Sequence, residues 1–319
     1  MVPLLCGERF VKLYGAREGL LRGAGKAVGV VAGALAMGLG VAFIYVNVRF
    51  SARESRKYDV KVHVAAIPSD PAVLERGRHL VETIGNCAEC HGSDLGGSIF
   101  MDDPTLGRLV APNLTAGKNG IGGTFTDADW SAAILHGFAP SGRPLHLMPA
   151  QEYTQLGDED VGAIIAYVKS LPPVDSDLPA TEVALAAKVL TVFAGLPMFP
   201  AELVAHDAPR PQTVPPAATV EYGRYLTNVC TGCHKPDFSG GAMAGSPPDW
   251  PTVPNLTPSG DFGGWSEADL FRAMREGKRP DGADLRKPMP WKALGGLSDD
   301  ELRAIRMYLK SLPPVATAG

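Results

Sequence analysis

Cysteine is scarce in this chain, with five residues among 319. An odd number cannot all pair within one chain, so a framework in which every cysteine forms an internal disulfide is excluded. Basic residues are also few beyond Lys57. Residues 1–57 hold nine Lys and Arg against three Asp and Glu, which leaves 21 basic and 31 acidic residues for the rest. This excess of negative charge argues against a nucleic-acid partner. It suits a partner with a basic docking surface, or it serves solubility alone.

Alternation of apolar and polar residues over a useful length is absent, so the pattern predicts helices rather than strands. Hydrophobic residues make up 45% of the chain and charged residues 20%, a composition that excludes a disordered protein. The 37 Gly and 28 Pro residues indicate many loops. The length corresponds to roughly two domains of 100 to 150 residues with additional segments.

Charge is absent from residues 27–48, a run of 22 residues. A helix of this length, at about 1.5 Å per residue, spans the roughly 30 Å core of a bilayer. The run is longer than the apolar region of a signal peptide, and Arg49 and Arg53 follow it, so we expect an uncleaved transmembrane helix. Basic residues flank both ends, so the positive-inside rule leaves the orientation open. In the N-terminal segment, Cys6 lacks a lipobox and is expected to be a free thiol.

Four of the five cysteines stand in two Cys-x-x-Cys-His motifs, at residues 87–91 and 230–234. This spacing is typical of c-type haem attachment, because two thiols about one turn apart can add to the two vinyl groups of one porphyrin. The adjacent His then faces the iron. A lone Cys-x-x-Cys could also be a redox disulfide or half of a zinc site. The His and the second occurrence favour haem. The motifs therefore predict haem thioethers at Cys87, Cys90, Cys230 and Cys233, and iron ligands at His91 and His234.

Both motifs belong to a repeat of about 140 residues. Five blocks match in the same order: 74–80 with 220–226, the two haem motifs, 111–115 with 253–257, 147–149 with 288–290, and 156–173 with 297–314. Chance does not produce such a series. The predicted organisation is an N-terminal segment at 1–26, a transmembrane helix at 27–48, a linker at 49–70, a domain at 71–173, a connector at 174–216 and a second domain at 217–315.

Each repeat contains three predicted helices. The first leads into the haem motif. The second follows a good N-cap, Thr126 or Ser266. The third closes the repeat with an acidic first turn and a Lys in the last turn, as the helix dipole favours, and a Pro-Pro pair ends it. A further helix is expected in the apolar middle of the connector, residues 181–199, packed between the two domains or against a partner.

With these elements in view, each repeat resembles a class I cytochrome c domain. The shared features are an amino-terminal helix, Cys-x-x-Cys-His, a Pro-Asn-Leu-Thr loop, a distal Met and a carboxyl-terminal helix. The pair is similar to membrane-anchored dihaem cytochromes c and to the cytochrome subunits of bacterial periplasmic dehydrogenases. The resemblance implies an all-α fold, with an N-terminal transmembrane helix before two tandem cytochrome c domains, and two covalently bound haem c groups.

The resemblance implies that Met148 and Met289 are the second axial ligands. They lie 57 and 55 residues after the preceding His, and each is followed by Pro. A Met can equally be core filler, but these two occupy matched positions in the repeat. His146, His136, Met101, Met243 and Met274 are weaker alternatives because none has a counterpart in the other repeat.

In the family, the proximal His donates its N–H to a backbone carbonyl near a Pro about 20 residues further along the chain. Pro112 and Pro254 occupy that position here. Contacts to haem propionates, or plain packing, are expected of Arg108, Tyr153, Trp250 and Trp291. The remaining histidines, His63, His79 and His206, have no ligand context and are expected at the surface or behind the ligands.

The expected function is electron transfer rather than catalysis. The donor is expected to be a periplasmic dehydrogenase or a quinol-oxidising complex, and the acceptor an oxidase or a soluble cytochrome of the respiratory chain. Whether the chain works alone or inside a larger complex is left open by the sequence. Haem c is attached outside the bacterial cytoplasm, so the domains are expected on the periplasmic side of the inner membrane, with residues 1–26 inside. The alternatives are a dihaem peroxidase, which needs an open iron, and a haem-bearing anchor subunit of a dehydrogenase complex.

Overall fold

One long helix, α1 (Gly7–Glu54), opens the described part of this computed structural model, which covers residues 7–243 and 250–317. Cys6 and the first residues of the predicted N-terminal segment lie outside it. Within the described residues, one stretch, Gly29–Glu54, is long and apolar enough to cross a membrane, with a mean hydropathy of 2.1. The predicted apolar helix is therefore present, and it extends through the beginning of the predicted linker.

The chain divides into two compact units, Met1–Ser51 and Ala52–Gly319. In the first unit, many of the large apolar side chains of α1 are exposed, with Val30 and Met37 each 72% accessible. Exposed apolar side chains on a helix of this length suit contact with lipid. The second unit contains both repeats.

The first repeat contains five helices: α2 (Pro71–Glu82), α3 (Cys87–His91), α4 (Asp127–His136), α5 (Ala150–Tyr153) and α6 (Asp158–Ser170). The helix α7 (Leu185–Phe193) lies in the connector. The second repeat follows the same order: α8 (Val220–Thr227), α9 (Thr231–His234), α10 (Glu267–Glu276), α11 (Trp291–Leu294) and α12 (Asp299–Ser311). The predicted helices are confirmed, and so are the two N-caps. Thr126 and Ser266 each form a capping box with the Asp three residues later.

In each repeat the leading helix packs on the closing helix, α2 on α6 and α8 on α12. A glycine makes each crossing close. A Cβ at Gly77 would lie 2.0 Å from the carbonyl oxygen of Ala163, and a Cβ at Gly223 would lie 1.9 Å from that of Ala304. Since a backbone carbonyl cannot move aside, only glycine fits these two equivalent positions.

The two repeats share one hydrophobic core. Leu80 and Ile165 of the first repeat belong to the same buried cluster as Leu226 and Leu302 of the second. Polar contacts also join the leading and closing helices of different repeats, such as those between Tyr225 and Asp160 and between His79 and Glu301. The haem motifs are therefore held in one packed unit rather than in two separately tethered domains.

A small antiparallel sheet was not expected from the sequence, and the expectation that no strands form is wrong here. Its strands are β1 (Ser98–Asp103), β2 (Gly107–Ala111) and β3 (Glu182–Val183), in that order. β1 and β2 form a hairpin in which Asp103 pairs with Gly107. Apolar and polar residues do not alternate clearly along these strands. They are stabilised by pairing with distant segments of the chain rather than by one apolar and one polar face.

The connector adds β3 to the first repeat's sheet and then forms α7, so a helix is present within the predicted apolar stretch. One face of α7 is buried through Ala187 and Thr191. Arg53 fixes this helix by donating from Nη1 to the carbonyl oxygen of Thr191 at 2.7 Å, and it pairs with Glu202. The opposite face remains exposed, with Phe193 67% accessible.

Candidate haem sites

The first Cys-x-x-Cys-His motif forms the short helix α3. Asn86 precedes it in the left-handed conformation, with φ of 43°, which turns the chain sharply into the helix. Cys87 and Cys90 are then one helical turn apart, and they form no disulfide with each other. Burial raises the pKa of Cys87 to about 12, so this thiol is neutral at physiological pH. The arrangement fits two thiols that add to one porphyrin.

His91 is buried behind these cysteines, with 9% of its surface accessible. Its Nδ1 lies 2.8 Å from the carbonyl oxygen of Pro112. A carbonyl can only accept, so Nδ1 carries the proton and Nε2 keeps a free lone pair for a metal. Burial lowers the pKa of His91, which also favours the neutral ring that ligates iron.

The second motif repeats this geometry in α9. The Nδ1 of His234 lies 3.0 Å from the carbonyl oxygen of Pro254, and the ring is 5% accessible. Cys230 and Cys233 form no disulfide with each other, and burial raises the pKa of the Cys230 thiol to about 12. The carbonyl oxygens of Pro112 and Pro254 thus make equivalent contacts with the two histidines, and their role beside a haem stays a prediction.

The carbonyl-bearing loops are held by an asparagine that sequence reasoning did not single out. Asn113 donates from Nδ2 to the carbonyl oxygen of Val174 at 2.6 Å and accepts from the backbone N–H of Thr115 at 2.8 Å. Asn255 makes the equivalent bonds to Val315 and Thr257, at 2.7 and 2.8 Å. Each Asn anchors its loop to the chain beyond the closing helix. Its presence in both copies of the Pro-Asn-Leu-Thr block was the signal.

Met148 and Met289 are partly buried and pack against the shared core, directly before α5 and α11. Both therefore occupy equivalent places in the fold. Their role as axial ligands stays a prediction, as does the role of the four cysteines and the two histidines.

The weaker candidates have other partners. His136 stacks on His206, with 3.0 Å between their Nδ1 atoms, and His146 Nε2 lies 3.2 Å from Glu54. Met274 is buried in the core and Met101 lies on β1. His63 contacts Asp158 at 2.8 Å, and His79 contacts Glu301 at 2.8 Å.

Of the residues expected to contact haem propionates, Tyr153 already uses its hydroxyl in a hydrogen bond within the protein. Its hydroxyl donates to the carbonyl oxygen of Gly85 at 2.7 Å, beside the first haem motif. Arg108 lies 3.5 Å from Asp102, and Trp250 is 40% accessible. Trp291 packs against the position of a Cβ at Gly277. Packing explains Tyr153 and Trp291, and the propionate role of the other two stays a prediction.

Zinc was the main alternative for the cysteine motifs. Among residues 7–243 and 250–317, no group of three or more His, Cys, Asp or Glu side chains is close enough to hold a metal ion. The two neutral thiols, the oriented imidazole and the nearby partly buried Met fit a haem c in each repeat instead.

Comparison with known proteins supports the same assignment. The family described as cytochrome c oxidase, cbb3-type, subunit III matches residues 72–168, and the family described as cytochrome c matches residues 220–313. The chain is a dihaem c-type cytochrome. Its two domains carry two covalently bound haem c groups. The predicted all-α fold class, with an apolar N-terminal helix and two cytochrome c domains, is confirmed.

Several relatives of this cytochrome are named as dehydrogenase subunits. It is 29% identical over 292 residues to the fructose dehydrogenase cytochrome subunit of Gluconobacter japonicus, covering 81% of this chain and 57% of that protein. It is 31% identical over 281 residues to the gluconate 2-dehydrogenase cytochrome c subunit of Pantoea cypripedii, covering 76% and 60%. It is 28% identical over 261 residues to a dihaem cytochrome c-type protein of Cereibacter sphaeroides, covering 72% and 83%. The cytochrome thus spans little more than half of the two dehydrogenase subunits.

Proposed function

We propose that this cytochrome relays electrons from a dehydrogenase or a quinol-oxidising complex to an oxidase or another acceptor. The observation that carries the proposal is the bridge between the two haem motifs. In α5, Tyr153 donates to the carbonyl oxygen of Gly85, two residues before Cys87. The neighbouring residue, Glu152, accepts at its backbone oxygen from Nδ2 of Asn228, at 2.7 Å and two residues before Cys230. One four-residue helix thus touches the approach to both motifs, which fixes the two haems in relation to each other.

The names of the relatives favour a dehydrogenase as the electron donor. Two of them are named as cytochrome subunits of fructose and gluconate dehydrogenases, and a third shares its dihaem organisation. Membership of a larger complex with a dehydrogenase subunit is therefore the preferred form of the proposal. The acidic surface beyond Lys57 would favour encounter with a basic partner.

In each domain, we assign one His and one Met to the iron: His91 with Met148, and His234 with Met289. The haems are attached through the four motif cysteines, and Pro112 and Pro254 orient the histidines. A thioether ligand raises the potential relative to a second His. With both axial positions filled by protein, neither iron is open to peroxide, which disfavours the peroxidase alternative.

For location, we propose a single membrane pass through α1, with the haem domains on the periplasmic side of the inner membrane. The apolar stretch Gly29–Glu54 supports the anchor. Covalent haem attachment outside the bacterial cytoplasm supports the side.

The test is a haem count together with a ligand signature. Full-length protein from a host that matures cytochromes c should contain two haems per chain by the pyridine haemochrome assay, with His/Met bands in near-infrared magnetic circular dichroism. Mixed with a fructose or gluconate dehydrogenase, the enzymes whose cytochrome subunits it resembles, it should be reduced when that enzyme's substrate is added. High-spin haem with peroxidase turnover would contradict the proposal.

A further inference from the structure

A carboxyl group of the first domain lies directly on the haem motif of the second. Glu152 belongs to α5, four residues after Met148. A Cβ at Gly232, between the two cysteines of the second motif, would lie 1.9 Å from Oε1 of Glu152 and 2.9 Å from its Cδ. The carboxyl group therefore fills the space that glycine leaves open beside α9. The bond from Asn228 to the Glu152 backbone oxygen holds the residue at this position.

Among the residues that the structure describes, no basic side chain pairs with Glu152. The titratable groups that face it are Cys230 and Cys233 of the second motif, and Tyr153 on its own helix. Haem attachment converts both thiols into thioethers, which do not ionise. Burial raises the pKa of Glu152 to about 7, so its charge changes within the physiological range.

The first haem has no equivalent neighbour. Matching the repeats places Ala293 at the position of Glu152, and Glu89 at the position of Gly232. Glu89 is exposed to solvent, so its charge is screened. The half-buried carboxyl group is thus an asymmetric feature of an otherwise matched pair of sites.

We propose that Glu152 sets the potential of the second haem and couples its reduction to the uptake of a proton. A negative charge beside a haem favours ferric over ferrous iron, so the ionised carboxylate lowers the potential. With the haem bound, each electron that the donor supplies to this site would be accompanied by one proton, which a carboxylate oxygen of Glu152 would take from the buffered solvent and return to it on oxidation. The inference rests on the proposed relay through two His/Met haems, and it makes only the second one sensitive to pH near neutrality.

The experiment is a spectroelectrochemical titration of the full-length, two-haem protein between pH 5.5 and 8.5. The wild type is compared with Glu152→Gln and with Glu89→Gln, which removes a solvent-exposed carboxylate beside the first motif. The second haem is identified through Met289→His, which should lower its potential selectively.

In the wild type, the second potential should fall as the pH rises through about 7, and the first should stay constant. Glu152→Gln should abolish this dependence and favour the reduced form at pH 8.5 about tenfold, equivalent to about 59 mV for one electron. Glu89→Gln should behave as the wild type. A pH dependence that persists in Glu152→Gln would overturn the inference.

If the Glu152→Gln protein does not fold or bind its haems, proton uptake by the wild-type protein still tests the inference. Reduction of wild-type protein in weakly buffered solution at pH 7 should take up protons, and an absence of uptake would refute the inference without any variant. If both haem potentials are independent of pH in a protein with two His/Met haems, the inference is wrong, but the proposed electron relay is unaffected. Missing or high-spin haem would remove the relay itself.

Discussion

The hydroxyl of Tyr225 in the second repeat donates a hydrogen bond to Oδ2 of Asp160 in the first, at 2.7 Å. The reciprocal contact joins Nε2 of His79 in the first repeat to Oε2 of Glu301 in the second, at 2.8 Å. In the repeat alignment, His79 matches Tyr225 and Asp160 matches Glu301. The domains therefore exchange equivalent contacts, as in a twofold-symmetric dimer fused into one chain.

Each of these buried carboxylates is also held within its own repeat. Arg76 donates to Asp160 from Nε and Nη2, both at 2.9 Å, and Tyr222 donates to Oε1 of Glu301 at 3.0 Å. Only 2% of Asp160 and 4% of Glu301 is accessible. A buried network that is fully bonded fixes a single arrangement, so it holds the two haem motifs in register.

Replacement of Tyr225 by Phe should destabilise the interface between the repeats. The hydroxyl donates to Asp160 and also accepts from the backbone N–H of Gly157 at 2.9 Å, so its loss leaves two buried partners unsatisfied. We expect a loss of about 1–3 kcal/mol in the free energy of unfolding of the haem-loaded protein, measured by denaturant titration.

Tyr308→Phe is the control for this change. Tyr308 lies in the last turn of α12, where it matches Tyr167 of the first repeat, and among the described residues its hydroxyl makes no hydrogen bond. Its replacement should alter stability by much less. Equal effects of the two variants would mean that the hydroxyl of Tyr225 has no special role.

Acid should weaken the same interface through Glu301. Burial raises the pKa of this carboxyl group, but hydrogen bonds from His79, the Ser298 backbone and Tyr222 outweigh it and hold the pKa at about 2. The folded state therefore binds this proton less readily than the unfolded state, whose pKa is near the ordinary 4.5. The stabilisation is complete above about pH 4.5 and is lost as the pH falls towards 2.

This pH dependence can be measured as the slope of unfolding free energy between pH 5 and 2.5. Glu301→Gln should flatten the slope and lower stability at pH 7, whereas the exposed neighbour change Asp300→Asn should leave the slope intact. An unchanged slope in Glu301→Gln would show that another carboxylate controls acid unfolding.

The sequence predicts much of the local structure and little of the packing between repeats. The caps at Thr126 and Ser266 follow from side chains that bond to the next turn, so they can be recognised locally. Tyr225 and Asp160 are 65 residues apart and carry no local signal of their contact. The same holds for Glu152 and Gly232, because neither residue type is unusual where it stands.

The strands were missed for a related reason. β2 pairs with β3, which lies beyond the closing helix of the first repeat in the sequence, and Arg108 stands opposite Glu182. Such pairing depends on how the connector returns, which a window of neighbouring residues does not contain. The proximal carbonyls at Pro112 and Pro254, by contrast, could be placed because the resemblance supplied their partner.

Met289→Ala should open the iron of the second haem. Loss of the proposed thioether should lower that haem's potential and produce a high-spin signal, while the first haem keeps its His/Met spectrum. Near-infrared magnetic circular dichroism detects the spin state and the axial ligands of each haem directly. Met274→Leu, a buried Met of the same repeat with no counterpart in the other, should leave both spectra unchanged. An unaltered spectrum in Met289→Ala would assign the ligand elsewhere.

Gly223→Ala should separate α8 from α12 and disturb the second domain alone. The new Cβ would lie 1.9 Å from the carbonyl oxygen of Ala304 and 2.9 Å from the Cβ of Tyr308, and neither contact can be relieved by rotating a flexible side chain. We expect a loss at or above the upper end of the usual 1–3 kcal/mol for overpacking, with weaker retention of the second haem. Gly264→Ala is the matched control because no atom lies within 4 Å of its Cβ position. Thermal unfolding followed at the haem bands compares the two variants. Equal midpoints would mean that the crossing of α8 and α12 tolerates a methyl group, and that the shared glycine of the two repeats has another cause.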